Sequence, residues 1–262
     1  MKRRDVLAAL SASASGMMSA EGRGLNPSNT FLEVKTWRFH NSQENQPARV
    51  ADYLEVGLAP AMARAGAKLA GAFSNVIGQD GPYYVSVSEF SSLAAMQDAL
   101  AKLAADEAHH NELQKLSAGA GMPFVRVESS LLRSFDGMPA IALADTAEKR
   151  PPRIFELRTY ESQSFVTLAR KVEMFNKGEM QIFQRLGMRP VFFGETIVGP
   201  KQPNLMYMLS YDDLAARDQL WHDFVSDAEW KKLSARPELK DAEIVANISN
   251  VILRPLTFSS VR

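Results

Sequence analysis

Two short stretches hold the residues of this chain that could do chemistry. Phe155-Glu-Leu-Arg-Thr-Tyr160 puts Glu156, Arg158 and Tyr160 at alternate positions. An extended strand points alternate side chains to one face, so these three would stand together. A guanidinium there could grip an anionic group through paired hydrogen bonds. A carboxyl beside it could take up a proton if burial raised its pKa. A near-copy, Leu32-Glu-Val-Lys-Thr-Trp37, sets Glu33, Lys35 and Trp37 at the matching positions. Tyr207, with Ser86 and Ser88 in the other half, falls on the same side, and Glu195 can join them. His40 closes the first of these strands, as a rim residue or a haem-ligand candidate.

The same residues also read as an ion-pair network between two halves of the molecule, setting their register. Buried charges need partners whether or not a ligand exists, and this is the preferred reading. Other motifs are missing. No glycine-rich phosphate loop, Gly-x-Ser-x-Gly elbow or carboxylate–histidine metal pattern occurs, so no metal and no cofactor is expected. His109 and His110 are adjacent, about 100° apart on a helix, and do not make the i, i+4 pair of a zinc site. They read as a solvated face, His222 as exposed, and Trp221 and Trp230 as core.

The elements that would position these side chains form one pattern met twice. In the first half, strand 31–39 precedes a helix with a stripe of Val50, Leu54, Leu58, Ala61 and Ala65, kinked at Pro60 and capped by Gly66. Strands 68–77 and 83–90 follow. Ser91 and Ser92 then cap a helix burying Leu93, Met96, Leu100 and Leu103, and 124–132 is the fourth strand. In the second half, strand 154–160 is followed by the stripe Leu168, Val172, Phe175, Ile182, Phe183 and Leu186, ended by Gly187. Strands 189–198 and 205–211 come next. Helices capped by Asp212-Asp213 and by Asp227, then strand 244–253, complete it.

Each half is therefore βαββαβ, the ferredoxin-like unit. A four-stranded sheet with helices on one face needs cover on the other, which a second copy supplies. The expected fold is α+β: two tandem ferredoxin-like βαββαβ units packed sheet to sheet as a pseudo-dimeric α/β barrel. Residues 30–135 and 153–257 form the two domains, and 136–152 a linker. Leu32, Val34, Thr36, Phe155, Leu157, Thr159, Met206 and Met208 are assigned to the helix side. The charged face is assigned to the space between the sheets.

Composition narrows the function classes. Lys plus Arg and Asp plus Glu balance at 30 each, so no basic field favours nucleic acid. With no cysteine, disulfides and thiolate chemistry are excluded. Residues 1–24 place Lys2-Arg3-Arg4 before an apolar run. This is the layout of a signal peptide with a twin-arginine-like pair, so a periplasmic or extracellular location is expected. No other segment is apolar enough to insert in a membrane.

The second half carries Phe155–Tyr160, the run Pro203-Asn-Leu-Met-Tyr-Met-Leu-Ser-Tyr-Asp-Asp-Leu-Ala-Ala-Arg217, and Ser226-Asp-Ala-Glu-Trp-Lys-Lys-Leu233. By these stretches it resembles the NIPSNAP family. The first half is fainter, with Ser91-Ser92-Leu93 for Asp212-Asp213-Leu214 and His109 for Trp230. The resemblance implies a dimeric α/β-barrel fold and an undefined biochemical role, with no catalytic motif to carry over. The expected function is binding of a small molecule or a protein partner. The alternatives are an oxidoreductase of the monooxygenase-like or haem-binding kind, an isomerase, and a structural homo-oligomer.

Overall fold

The computed structural model describes residues 28–41, 43–143 and 153–262. The expected signal segment 1–24 and the 144–152 part of the expected linker lie outside the described residues. In chain order the elements are β1 (Phe31–Arg38), α1 (Gln46–Asp52), a π-helical segment (Tyr53–Leu58), α2 (Ala59–Ala65), β2 (Lys68–Ile77) and β3 (Tyr83–Phe90). Next come α3 (Leu93–Ala105), α4 (Glu107–Ala118), β4 (Arg126–Ser134), β5 (Ile154–Glu161) and α5 (Phe165–Met174). A second π segment (Phe175–Glu179) leads to α6 (Met180–Arg185), β6 (Arg189–Val198), β7 (Asn204–Tyr211), α7 (Leu214–Ser226), α8 (Ala228–Ser234), α9 (Asp241–Ile244) and β8 (Asn247–Pro255). Among the described residues no helix is long and apolar enough to cross a membrane.

The strands close into a barrel in the order β1-β3-β2-β8-β5-β7-β6-β4. Each half thus keeps the strand order of a ferredoxin-like sheet. The halves are joined edge to edge, β2 with β8 and β4 with β6, all antiparallel. Closure removes the free edges that a four-stranded sheet would otherwise expose. The interior is filled by Leu32, Val34, Phe73, Phe155, Leu157, Phe192, Met208 and Leu253, buried residues from both halves. An eight-stranded barrel is just wide enough for such side chains to fill.

This reverses the expected faces. Leu32, Val34, Phe155, Leu157 and Met208 point into the barrel, while Trp37, Tyr160 and Tyr207 pack under the helices. Both faces are covered, so alternation separates the two sets without saying which one the helices bury.

The ends of the barrel differ. After β4 the chain crosses one end, Phe135 N–H bonding Phe193 O and Ala142 N–H bonding Val191 O, and Ile141 enters the interior cluster. After β8 the chain does the same on the other half, through Leu256 N–H to Ala72 O, and buries Val261. These two crossings plug that end. Residues 136–143, expected as part of a linker, are thus packed against the barrel.

Helix starts follow their caps. The side chains of Ser92, Asp213 and Asp227 accept from Ala95, Ala216 and Trp230 N–H groups, and Ser164 with Thr167 forms a capping box. Gly66 and Gly187 both end their helices at φ 82°, a left-handed geometry that costs a side chain about 1–2 kcal/mol. Space is open around Gly187, so Gly187→Ala should lose about 1 kcal/mol through backbone strain alone, measured by urea unfolding. Some sequence expectations shift. Leu93 and Leu100 are nearly half exposed, and Ala99 is buried instead. Pro60 falls in the first turn of α2, directly after a π segment. The second half has a π segment at the matching place with no proline, so a proline is not needed to form one. The fourth and last strands begin two or three residues later than expected.

Candidate functional site

Glu156 lies wholly buried on β5, beneath α7. Its carboxylate accepts hydrogen bonds from Arg217 Nη2 (2.6 Å) and Nε (3.1 Å), Asn250 Nδ2 (2.7 Å), Arg158 Nη1 (3.0 Å), Trp221 Nε1 (3.0 Å) and Tyr211 Oη (3.3 Å). Burial pushes this carboxyl up, but the Arg217 hydrogen bonds, the Arg158 charge and Asn250 outweigh it and hold it below the usual range. Arg158 lies 4.4 Å over the Trp221 ring and donates through Nη2 to Tyr160 Oη (3.2 Å). Tyr160 also accepts from Tyr207 Oη (2.9 Å), whose phenol burial keeps well above its ordinary pKa.

A second charged pair completes this cluster. Lys171 Nζ meets Glu179 at 3.0 Å and Asp241 at 3.6 Å, inside a ring of Tyr160, Phe175 and Trp230. Burial alone would lower the Lys171 pKa, but Glu179 and Asp241 outweigh it and raise it. Residues eight apart on a regular helix stand about 80° out of line. The wider turns of the π segment reduce that angle and bring Glu179 under Lys171.

The expected candidates therefore divide. Glu156, Arg158, Tyr160 and Tyr207 do come together, but between sheet and helices of one half, not between the two halves. Their polar groups are spent chiefly on one another, and none of them lines the cavity at the barrel end. Glu195 is elsewhere, paired with Arg133 at 2.9 Å across the β4–β6 seam. Among the described residues that ion pair spans the two halves. In the first half Glu33 pairs with Lys35 and accepts from Ser129, both at 3.0 Å. Trp37 Nε1 donates to Ser86 Oγ (2.9 Å), between Tyr53 and Phe124. His40 is exposed and pairs with Glu44. His109, expected in solvent, is buried. Its Nε2 accepts from Tyr53 Oη at 2.9 Å, and Nδ1 gives its proton to Leu103 O. Burial pushes the Tyr53 phenol up to about 12, so it stays a donor. No group of three or more potential metal ligands stands together among the described residues.

Space wide enough for a small molecule is found at the unplugged end of the barrel. A cavity of about 760 Å³ opens there, lined by both halves. Its floor is Val34, Val85, Leu157, Met206 and Val251, and its walls carry Thr36, Thr159 and Ser130. At the rim, Arg38 Nε and Arg126 Nε bond the two oxygens of Glu128 at 3.0 and 2.8 Å. Lys201 stands 3.8 Å from Glu161. Arg38 and Tyr83, the interior-facing ends of their strands, fall outside the expected set because that set lies on the opposite face. The signal was present, since Arg38 continues the alternation of Val34 and Thr36.

Comparison with known proteins agrees with this architecture. Residues 155–260 match the sequence profile of the NIPSNAP family. A solved structure from Lactobacillus acidophilus, described as a "putative monooxygenase", is 13% identical with a TM-score of 0.57, covering 87% of this chain and 94% of that one. Another so described, from Fusobacterium nucleatum, is 10% identical with a TM-score of 0.54, covering 87% and 93%. A NIPSNAP family protein from Agrobacterium tumefaciens is 20% identical over 46% of this chain and 100% of its own, at a TM-score of 0.40. No curated protein matches the sequence. The second half thus carries a NIPSNAP domain, and the chain has the dimeric α/β-barrel fold of the first two structures.

Proposed function

We propose that this chain is a small-molecule-binding protein built on a NIPSNAP domain, with its ligand held in the open end of the barrel. The observation that supports this is the cavity of about 760 Å³, apolar at the floor and polar at the rim. Ligand pockets fall in this size range and have this make-up, and barrel mouths are a common place for them. The rim cations Arg38 and Arg126 share Glu128 and Lys201 faces Glu161, so the site asks for an apolar body more than an anionic one. The neutral apolar dye N-phenyl-1-naphthylamine should bind with enhanced fluorescence. Thr159→Trp, which fills the cavity from β5, should weaken that binding about tenfold or more while far-UV circular dichroism stays unchanged. Equal binding by the filled variant would rule out the barrel end as the site.

The first half reads, on this proposal, as a diverged copy of the second. The same order of elements and the matched Glu33 and Glu156 support it. Export is part of the same proposal and rests on the basic and apolar pattern of residues 1–24. A reporter fused after residue 24 that stays in the cytoplasm would refute it. A second reading, an oxidoreductase, draws only on the description of the two structures of like fold. An absorption spectrum of the purified protein with a Soret or flavin band would favour it.

A further inference from the structure

The two halves meet the cavity unequally. Arg38 pairs with Tyr83 in the last row of β1 and β3, and Glu161 pairs with Asn204 in the matching row of β5 and β7. Asn204 is fully engaged: its Nδ2 donates to Pro200 O (3.0 Å) and its Oδ1 accepts from Thr196 Oγ1 (2.6 Å). Tyr83 is different. It is 3% exposed, and its backbone N–H is fixed by Asn75 Oδ1 (2.9 Å). Arg38 covers its ring at 4.7 Å. The hydroxyl lies against Gly78, where a Cβ would collide with it and with Val251. Among the described residues that hydroxyl has no hydrogen-bond partner. Burial also pushes the phenol up, so it is a proton donor at neutral pH.

Tyr83 lines the cavity, so a molecule that filled the space would leave this hydroxyl unpaired unless it brought an acceptor of its own. We propose that the barrel-end cavity takes an apolar molecule carrying a carbonyl oxygen, and that Tyr83 Oη donates to that oxygen and sets the molecule's orientation. The carbonyl end then lies on the first-half side, near Tyr83 and Gly78. The apolar body lies over Leu157 and Met206 of the second half. A carbonyl suits the site better than a carboxylate. Glu128 already holds Arg38 and Arg126, and Lys201 faces Glu161, so no rim cation is left seeking an anion.

This inference rests on the barrel end being the ligand site, and its test keeps the two apart. The full chain is titrated with prodan, an apolar naphthalene with one ketone, and with N-phenyl-1-naphthylamine, which has none. Tyr83→Phe removes the hydroxyl and nothing else. Prodan should bind about tenfold more weakly to the variant, as expected for losing one buried hydrogen bond. Its bound emission should move to the blue, because the ketone has lost its donor. N-phenyl-1-naphthylamine should change by less than about twofold, since it never used that donor. Equal weakening of both dyes, or no weakening of prodan, overturns the role of Tyr83 and leaves the cavity standing. Failure of both dyes to bind wild type, or binding untouched by Thr159→Trp, overturns the cavity and the inference with it.

Discussion

Glu156→Ala should cost about 3–5 kcal/mol of folding stability, read as a lower urea midpoint at unchanged slope. The substitution leaves Arg158 and Arg217 facing each other beneath α7 with no anion between them, and strips acceptors from Trp221 and Asn250. Domains of ordinary stability have about 5–15 kcal/mol in all, so the loss is large. Glu33→Ala, at the matching strand position, should cost no more than about 1 kcal/mol. Its carboxylate is partly exposed, and among the described residues its bonds are to Lys35 and Ser129. Similar losses from the two would refute the reading of Glu156 as a buried hub. The pH dependence has a definite sign. Because the Glu156 pKa is lowered on folding, its contribution is fully present above the usual glutamate value of 4.5 and is lost as pH falls through the folded value. Glu156→Gln should therefore flatten the acid side of the stability profile, whatever it costs at pH 7.

Lys171→Met should be about as damaging, at 3–5 kcal/mol, because Glu179 is buried and would lose the cation that balances it. Adding Glu179→Leu should return most of that loss, to within about 1–2 kcal/mol of wild type. An apolar pair of similar size needs no desolvation of charge and packs against Tyr160, Phe175 and Trp230. Thermal and urea unfolding of the two single variants and the double variant form the cycle. A double variant as unstable as the sum of the singles would mean that Lys171 and Glu179 are not coupled.

These two nodes show what sequence could and could not convey. The strands of both halves and their caps were legible, because caps such as Ser92 and Asp213 and terminators such as Gly187 act within one turn of where they stand. That Arg158 and Tyr160 stand beside Glu156 was legible for the same reason, all three alternating on one strand, although the ion pairs were expected to run between the halves. Its partners Arg217, Trp221 and Asn250 come from distant elements, and nothing local announces them. The error over the faces has a physical origin. Charged residues were assigned to the space between sheets, on the idea that apolar ones belong under helices. The helices themselves bring the donors that neutralise Glu156, so the charges go under the helices and the narrow barrel takes the aliphatic residues. Lys171 and Glu179 escaped notice because a stripe drawn on a regular helix does not align them. His109 looked solvated among acidic neighbours, and its partner Tyr53 lies on another helix.

The edge-to-edge seams also decide the order in which the molecule can be made. β2 meets β8 through pairs such as Phe73 with Pro255, and Ser259 Oγ accepts from Ala72 N–H. Such contacts join residues far apart in sequence, and each must wait for most of the chain to be synthesised. The entropy of closing so long a loop is met before the seam returns anything, which slows folding in proteins dominated by non-local pairing. Until β8 arrives, β2 is a bare edge, and the aliphatic lining of the first half faces water. The barrel shuts last, at the C-terminal strand, and the nascent chain is most exposed to mispairing just before that step.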